Sequence, residues 1–349
     1  MSSDKTVSSN GAEGYNVFGI SSSIAATLIL ISPILFTLVV YPDTFILSWN
    51  EGRGGFLFAM AFIAAELVGL KYSLTRKRLL MVAGMAALTI SYFIALPYGL
   101  SDYIRNGKDV YNVSLVDSWM WLWDFVVMAV FVASSLVLLF GKKWYKIASA
   151  GAIYLAGSAL ILALDAFFPF DSLGPLQIVV PIYLQIDQAI INFVDTSIIN
   201  VGPQIANSSA EPALATGNLL VMNGLHGPFA LQVFWPSAGV HSMIIYTLVM
   251  LAMLIKMDMP LTRKLIYFAA GTLGTVATNL VRIVSLSLYA LVVTTDVQEW
   301  EAFHSIAGEI MFLPWLGIYL GVVIYIENKR IRRLQAGLTS GAASNPSTL

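Results

Sequence analysis

Long apolar runs recur along the whole chain. A transmembrane helix needs about 20 predominantly apolar residues, because each residue rises about 1.5 Å through a hydrocarbon core about 30 Å thick. Runs of about that length lie at residues 20–41, 55–72, 78–100, 119–141, 144–168, 239–256, 265–294 and 303–326. Polar residues interrupt the fifth and seventh runs, whose ends are therefore less sharply defined. The pattern predicts an all-α polytopic membrane protein of about eight transmembrane helices.

Residues 169–238 form the one long predicted extramembrane segment. Its first part, "LQIVVPIYLQIDQAIINFVDTSIINV", has apolar residues at mixed spacing, with Asp187 and Asp195 on the polar side. This pattern predicts either an amphipathic helix that lies in the outer interface or a short re-entrant element.

The second part of this segment, "GNLLVMNGLHGPFALQVFW", has turn residues between two short apolar stretches. Asn223-Gly224 and Gly227-Pro228 flank the turn, so the pattern predicts a β-hairpin. The whole segment is either a lid that only covers the helices or a floor that leads a substrate towards Ser237.

The apolar pattern divides the chain into five predicted parts. They are a cytoplasmic tail (1–19), a five-helix membrane part (20–168), an extracellular loop segment (169–238), a three-helix membrane part (239–333) and a disordered cytoplasmic tail (334–349). The polar head "MSSDKTVSSNGAEGYN" lacks the short apolar region and cleavage site of a secretory signal. The first apolar run is therefore predicted to be a retained span.

Composition agrees with a membrane protein and excludes several kinds of chemistry. Of the 349 residues, 58% are hydrophobic and only 11% are charged, with a mean hydropathy of +0.77, whereas soluble domains are about 25% charged. A net charge of −1 offers no basic field for nucleic acid. The absence of cysteine excludes disulfides, zinc–thiolate sites and thiol catalysis. No residue spacing indicates a metal site or a cofactor.

Basic residues concentrate in alternate connections, which predicts the orientation in the membrane. Fifteen of the 19 lie at the N-terminus, between alternate runs or after the last run: Lys5, Lys71, Arg76, Lys77, Arg78, Lys142, Lys143, Lys146, Lys256, Arg263, Lys264, Lys329, Arg330, Arg332 and Arg333. Both termini and the 71–78, 142–146 and 256–264 connections are therefore expected in the cytoplasm. Two glycosylation-type sequons, at Asn112 and Asn207, fall on the predicted outer side.

Three polar side chains are expected near the outer boundary of the last three spans. Counted from the basic anchor that flanks each span, Ser237, Arg282 and His304 lie about 28, 27 and 37 Å along a helix that rises about 1.5 Å per residue. Arg282 is the one basic residue that lies away from the ends of a predicted span. A hydroxyl, a guanidinium and an imidazole at one level are typical of a functional site.

Each of these residues also has a structural interpretation. Ser237 follows Pro236 and can serve as a helix N-cap, and His304 can be an ordinary interfacial histidine at a helix start. Arg282 can form a structural ion pair with an acid of another span. The candidate acids are Asp124, Asp165 and Glu66. Taken together at matched depth, the three residues favour a site.

Three short motifs resemble the active-site motifs of the exosortase/archaeosortase family. They are "PSAGVHS" at 236–242, "NLVRI" at 279–283 and "FHSIAG" at 303–308, preceded by the hairpin-like "TGNLLVMNG…FALQVFW". The resemblance covers about the second half of the chain. The nucleophilic cysteine of the family corresponds to Ser237, with Gly239 and Ser242 in register. The chain is thus either a natural serine branch, such as the thaumarchaeal archaeosortases, or one whose cysteine has been replaced.

The resemblance implies a sortase-like membrane protease and transpeptidase. Such an enzyme cuts surface proteins near a C-terminal tripartite signal, which consists of a short motif, a membrane helix and a basic cluster. Some members pass the product to a membrane lipid. The expected partners are therefore surface proteins and a lipid acceptor, without nucleic acid and without a cofactor, at the outer face of the cell membrane.

Charge and geometry suggest a role for each candidate residue. Ser237 needs a base, because a hydroxyl is a poor nucleophile, and His304 is preferred because a free imidazole has a pKa of about 6.5. Arg282 stays protonated and suits an oxyanion. Asn279 lies three residues before Arg282 and is expected to orient it. His241, four residues after Ser237, is a rival base.

The sequence is also compatible with two other functions. A transporter or channel would use intramembrane acids as an ion path, and the candidates are Glu66, Asp124, Asp165 and Glu309. Against it, the chain has no internal repeat of the kind found in many transporters. A family member that binds sorting signals without cutting them would explain a serine in the place of cysteine.

Overall fold

The computed structural model confirms the predicted fold class, an all-α polytopic membrane protein. The structure describes residues 16–17, 20–46, 52–68, 70, 72, 74–170, 172–194 and 217–343. The helices are α1 (Ser22–Val40), α2 (Gly55–Leu67), α3 (Arg76–Ala95), α4 (Leu100–Val110), α5 (Val116–Phe140), α6 (Trp144–Ile147), α7 (Ala150–Phe167), α8 (Gly174–Gln177), α9 (Val180–Val194), α10 (His241–Lys256), α11 (Leu261–Val292) and α12 (Val297–Ala343). Two antiparallel strand pairs accompany them: β1 (Asn16–Val17) with β2 (Ile20–Ser21), and β3 (Leu219–Gly224) with β4 (Gly227–Gln232).

Within the described chain, eight helical segments are long and apolar enough to cross a membrane. The number matches the expectation, but the membership differs in two places. The predicted span 55–72 is the 13-residue helix α2, which rises only about 20 Å. Gly174–Val194, predicted as an interfacial or re-entrant element, meets the length and hydropathy of a span instead.

The chain forms two compact units, and the first covers the described residues up to Pro169 together with Leu251–Met257. In it α5 packs against α7 and α3, and α2 packs against α7 and α1. The ring of Phe56 lies at the centre, 4.7 Å from Phe125 and 6.2 Å from Phe93 between centroids. Because lipid tails are as apolar as these side chains, close packing rather than exclusion of water holds such helices together.

Polar contacts tie together the helix ends at one side of this unit. Ser22 Oγ, at the start of α1, donates to the carbonyl of Tyr72 at 2.9 Å. Arg78 Nη1, in the first turn of α3, donates to the carbonyl of Leu139 near the end of α5 at 2.9 Å. The 68–75 and 141–149 connections therefore lie at one level with the start of α1.

Glu66 joins two more helix ends to the same side. Its carboxylate accepts the backbone N–H of Ala150, with both oxygens at 3.0 Å, and so caps α7. It also forms an ion pair with Lys256, the last residue of α10. Two of the connections predicted to be cytoplasmic, and Lys256 at the start of the third, thus share one side of the unit, and the assignment of that side to the cytoplasm stays a prediction.

The opposite helix ends of the unit meet in the same way. The hydroxyl of Tyr41, after α1, donates to the carbonyl of Phe93 near the end of α3 at 2.8 Å. The N–H of Ser114, before α5, donates to the carbonyl of Ala166 near the end of α7 at 2.9 Å. The sequon residue Asn112 is exposed in this region; Asn207 lies outside the described residues.

A buried arginine marks the start of α2. Arg53 is 5% exposed and Asp124 is 3% exposed, and the Nε and Nη2 atoms of the arginine each lie 2.8 Å from Asp124 Oδ2. Thr44 Oγ1 accepts from Nη1 at 2.8 Å, and the hydroxyl of Tyr92 donates to Asp124 Oδ1 at 2.9 Å. The guanidinium also lies over the rings of three aromatic residues, with centroid distances of 5.0 to 5.7 Å: Tyr41, Phe93 and Trp121.

The second unit covers the described residues of Phe170–Met250 and those from Asp258 onwards. Its hairpin is the predicted one, with Gly224 paired to Gly227 across the turn. One face of the hairpin, α9 and the second half of α11 form a buried apolar cluster: Val180, Tyr183, Leu184, Ile191, Leu220, Met222, Leu231, Val233, Ala238, Ile283, Ala290 and Leu291. The cluster includes Ala238, so it reaches the segment that carries Ser237.

The sequence pattern placed Asp187 on the polar side of its segment, but the residue does not face water in α9. It is fully buried, and its Oδ2 accepts the hydroxyl hydrogen of Ser287 of α11 at 2.6 Å. Ile182 and Phe193 of this helix are instead exposed. The helix therefore buries its acid against protein and presents an apolar face outward, as membrane proteins do. Asp195 lies outside the described residues.

Elsewhere in this unit, α12 packs on α11. The hydroxyl of Tyr267 donates to Glu327 Oε1 at 2.7 Å, and Arg330 Nη1 donates to Glu327 Oε2 at 2.9 Å. Helix α12 continues to Ala343, into the segment 334–349 that was expected to be a disordered tail.

Candidate active site

A tight turn of the π type, Pro236–Val240, connects the hairpin to α10. Gly239 has a φ of +91° in this turn, a conformation that suits glycine. A β-carbon at Gly239 would also clash with the side-chain amide of Asn279. The amide Nδ2 of Asn279 donates to the carbonyl of Gly239 at 3.2 Å, and Asn279 is 2% exposed. The shape of the turn is therefore fixed by one glycine and one amide of α11.

Asn279 was expected to orient Arg282, and the structure assigns its hydrogen bond differently. Both residues lie on α11, three positions apart, so their side chains project from neighbouring points of the helix. The amide of Asn279 is bonded to the turn of Ser237 and Gly239. It therefore positions the segment of the predicted nucleophile, and not the guanidinium.

Ser237 lies in this turn and is half-buried. Helix α10 begins four residues later, at His241, so Ser237 is not its N-cap. Among the described residues, no donor or acceptor is hydrogen-bonded to the hydroxyl. The interpretation of Ser237 as a structural cap is therefore wrong.

Arg282 and His304 meet, although they come from different helices. Arg282 Nη2 lies 3.2 Å from His304 Nε2. A guanidinium carries only donors, so Nε2 of the imidazole must be the acceptor. In the neutral ring the proton then lies on Nδ1, which donates to Glu301 Oε1 at 3.2 Å. The two contacts together define one tautomer of His304.

The ring of His304 is also held from one side. The indole of Trp300 stacks on it, with centroids 5.1 Å apart and planes at 7°. Trp300 Nε1 donates to the backbone carbonyl of Leu286 of α11 at 3.2 Å. Sequence reasoning missed both Trp300 and Glu301. Their spacing of four and three residues before His304 on a helix was the available signal.

Arg282 is half-buried and lies against Gly308 of α12. A β-carbon at Gly308 would lie 3.0 Å from the guanidinium carbon. Arg282 Nε is buried without a hydrogen-bond partner among the described residues. None of the ion pairs formed by the described side chains includes Arg282. Its positive charge is therefore not matched by a carboxylate there.

Ser237 and His304 are connected through α11. His304 Nε2 accepts from Arg282 Nη2 at 3.2 Å. The link between the two is α11, which holds the turn through Asn279 and contacts His304 through Arg282 one helical turn later. The structure thus brings Arg282 and His304 together, and α11 holds the turn that carries Ser237 through Asn279, one helical turn before Arg282.

The two remaining candidates lie just after the turn. The ring of His241 packs against the indole of Trp235, with centroids 5.3 Å apart and planes at 86°. Ser242 is buried. His241 was expected to share a helical face with Ser237, but the turn at Gly239 breaks the regular spacing between them. This makes His241 a weaker candidate for the base.

The ion-pair interpretation of Arg282 named acids that have other partners. Asp124 pairs with Arg53, and Glu66 pairs with Lys256. Asp165 is buried in α7. Within the described residues, no cluster of three His, Asp or Glu side chains has the arrangement of a metal site.

Comparison with known proteins gives no relative. No protein-family model, curated protein or solved structure matches the chain. The resemblance to the exosortase/archaeosortase motifs therefore depends on the residues quoted above.

Proposed function

We propose that the protein is a sortase-like membrane peptidase and transpeptidase. It cuts the C-terminal sorting signal of secreted surface proteins at the outer face of the cell membrane and passes the product to water or to a lipid acceptor. The observation that carries the proposal is the contact between Arg282 and His304, one helical turn from the point where α11 holds the turn of Ser237.

In the first half-reaction, Ser237 Oγ attacks the carbonyl carbon of the scissile peptide bond. His304 Nε2 takes the hydroxyl proton and later gives it to the leaving amine. Arg282 moves its N–H from Nε2 to the oxyanion that develops on the carbonyl oxygen. The C–N bond breaks, and the acyl group remains on Ser237 as an ester.

In the second half-reaction, water or a lipid amine attacks this ester. His304 removes a proton from the attacking group and returns it to Ser237 Oγ as the C–O bond breaks. Arg282 again stabilises the oxyanion. The free serine is restored, and the surface protein leaves as an acid or as an amide of the lipid.

The orientation belongs to the proposal, because a sorting signal emerges at the outer face. Both termini and the 71–78, 142–146 and 256–264 connections lie in the cytoplasm, since basic residues concentrate there. The chain has no cysteine, so a single cysteine at residue 205 can be labelled cleanly in intact cells with an impermeant maleimide. A cysteine at residue 258 is the matched control. Labelling at 258 with protection at 205 would refute the orientation.

A second candidate function is recognition of sorting signals without cutting. The observation in its favour is that Arg282, and not Ser237, is bonded to His304 Nε2. Two of the acids that an ion-coupled transporter would use are already paired. Asp124 and Glu66 each face a cation of their own unit, and the side chain of Glu309 lies outside the described residues.

The test is turnover that depends on Ser237. Secreted proteins with a C-terminal tripartite signal are co-expressed with the chain, and intact mass shows whether the C-terminal helix is removed. Purified protein is also treated with a fluorophosphonate, which labels activated serines. Parent protein, Ser237→Ala, Ser237→Cys and the neighbouring control Ser242→Ala are compared.

A natural serine enzyme cuts in the parent and the control, loses cutting in Ser237→Ala, and retains it in Ser237→Cys because a thiol is intrinsically more nucleophilic. A chain whose cysteine was replaced is inert until Ser237→Cys restores cutting. Binding of the signal without cutting by any variant supports the second candidate. Cutting that survives Ser237→Ala refutes the proposed role of the serine.

A further inference from the structure

We propose that Glu301 is the positioning residue of His304, which it holds in the tautomer whose Nε2 lone pair faces Arg282 and α11. The proposal rests on the function proposed above, and it assigns a task to a residue outside the three motifs. Its starting point is the contact of Glu301 Oε1 with His304 Nδ1 at 3.2 Å.

The first step is the location of the proton. Arg282 can only donate, so its contact at 3.2 Å requires a lone pair on His304 Nε2. A neutral imidazole then carries its one proton on Nδ1. An ionised carboxylate can only accept, so Glu301 selects the same tautomer from the other side of the ring.

The second step is the orientation of the ring. Trp300 stacks on the imidazole at an angle of 7° and is itself anchored to the carbonyl of Leu286. The stack fixes the plane of the ring, and Glu301 fixes the ring flip in which Nδ1 faces the carboxylate and Nε2 faces Arg282. A half turn of the ring within this plane would break the contacts with Glu301 and Arg282 at once.

The third step is the chemistry. When Nε2 accepts the proton of Ser237, the ring becomes an imidazolium, and its Nδ1–H then donates to a negative charge. A carboxylate at this position stabilises the charged form and the orientation together, as in Ser-His-Asp triads, where loss of the carboxylate lowers kcat by about 10⁴. The side chain of Glu301 is 60% exposed. Water therefore screens its charge, and we expect a loss of about tenfold.

The experiment compares Glu301→Ala and Glu301→Gln with Glu299→Ala. Glu299 is an exposed acid in the same first turn of α12, so it controls for the loss of charge. The first measurement is the tautomer of His304 by ¹⁵N NMR of histidine-labelled protein. The chain has only three histidines, and the signal that disappears in His304→Ala identifies the residue.

We expect the Nδ1–H tautomer in the parent, in Glu299→Ala and in Glu301→Gln, whose amide oxygen still accepts a hydrogen bond. In Glu301→Ala the share of this tautomer should fall. The second measurement is the rate of fluorophosphonate labelling at Ser237. It should fall about tenfold in Glu301→Ala and less in Glu301→Gln, while Glu299→Ala stays at the parent rate.

The two proposals fail in different ways. An unchanged tautomer in Glu301→Ala overturns the role of Glu301, whether or not the protein is active. Parent-like labelling in Glu301→Ala, together with loss of labelling in Ser237→Ala, overturns only the role of Glu301. Labelling that does not depend on Ser237 overturns the proposed function, while the tautomer still reports on Glu301. Glu301→Gln keeps the size of the side chain and covers the case in which Glu301→Ala does not fold.

Discussion

Each unit of the protein contains an arginine that is shielded from water, and the two arginines have opposite surroundings. Arg53 has a carboxylate on two of its nitrogens, a hydroxyl on the third and aromatic rings around its plane. Arg282 has a neutral imidazole on one nitrogen, a glycine against its carbon and a buried Nε without a hydrogen bond among the described residues. Among the described side chains, a carboxylate compensates the charge of Arg53, and none compensates that of Arg282.

This difference separates a structural ion pair from a candidate site. A buried charge is costly unless it is paired and hydrogen-bonded. The pair of Arg53 and Asp124 meets that condition, because all three nitrogens of the guanidinium are hydrogen-bonded or ion-paired. Arg282 retains donors and a positive charge that no described carboxylate matches, so an anion or a developing oxyanion would complete its surroundings. Substitutions of each arginine, measured by stability and by turnover, test this difference.

The largest effect is expected for Arg53→Ala. Removal of one partner leaves Asp124 buried and uncompensated, which should lower the free energy of unfolding by about 3–5 kcal/mol. Reversible unfolding in mixed detergent–SDS micelles measures it. The double variant Arg53→Met with Asp124→Leu is the control, because an apolar pair of similar volume should recover most of the loss. A stable Arg53→Ala protein would contradict the structural role.

The next effect is on turnover rather than stability. Arg282→Gln should lower the rate of cutting or of Ser237 labelling by about 10²–10³, the loss of one oxyanion donor, with unfolding changed by about 1 kcal/mol or less. Arg282→Lys keeps the positive charge but lacks the planar guanidinium, so its rate should lie between those of the parent and Arg282→Gln. If Arg282→Gln destabilised the protein as strongly as Arg53→Ala does, the contrast between the two arginines would be lost.

A smaller effect is expected from Gly308→Ala. The new methyl group would lie 3.0 Å from the guanidinium carbon of Arg282, so the guanidinium must shift by a few tenths of an ångström. Positional errors of about 1 Å can cost about 10² in rate, and we expect a loss of up to about tenfold in labelling rate. Gly317→Ala on the same helix is the control, since a β-carbon there meets nothing within 4 Å. Equal rates for both variants would argue against a placed guanidinium.

The smallest effect is expected for Lys256→Met. The pair of Lys256 and Glu66 is less buried than that of Arg53, with the lysine side chain 23% exposed, and Glu66 keeps the N–H of Ala150. The free energy of unfolding should change by about 1 kcal/mol or less. The same micelle assay applies. A loss as large as that of Arg53→Ala would mean that burial does not decide the strength of these pairs.

Several features followed from the sequence because local rules determine them. The length of the apolar runs predicted the fold class and the number of candidate spans. The turn residues predicted the hairpin, in which Gly224 pairs with Gly227. Apolar length does not say where a helix ends, so α2 stops at Leu67 although the apolar run continues. The expected depth of Arg282 and His304 agrees with their contact, because residues at one level of adjacent helices can meet.

The partners of polar side chains could not be predicted, because they are distant in the sequence. Asp187 looked solvent-facing, but its acceptor oxygen is used by Ser287, 100 residues away. Asn279 looked like a neighbour for Arg282, but its amide is bonded to Gly239, 40 residues away. Spacing along a helix gives the direction of a side chain, and only the packing of other segments decides which group it bonds.

The hydroxyl in the Pro236–Val240 turn has a consequence for the chemical durability of the proposed enzyme. A thiolate there would be open to oxidation to sulfenic and higher acids, whereas a serine hydroxyl has no corresponding states. The protein has no thiol, since it contains no cysteine, and its sulfur atoms are those of 13 methionines. Maleimide treatment should therefore leave the serine enzyme working and silence only Ser237→Cys, so the serine protects the attacking atom itself from thiol chemistry.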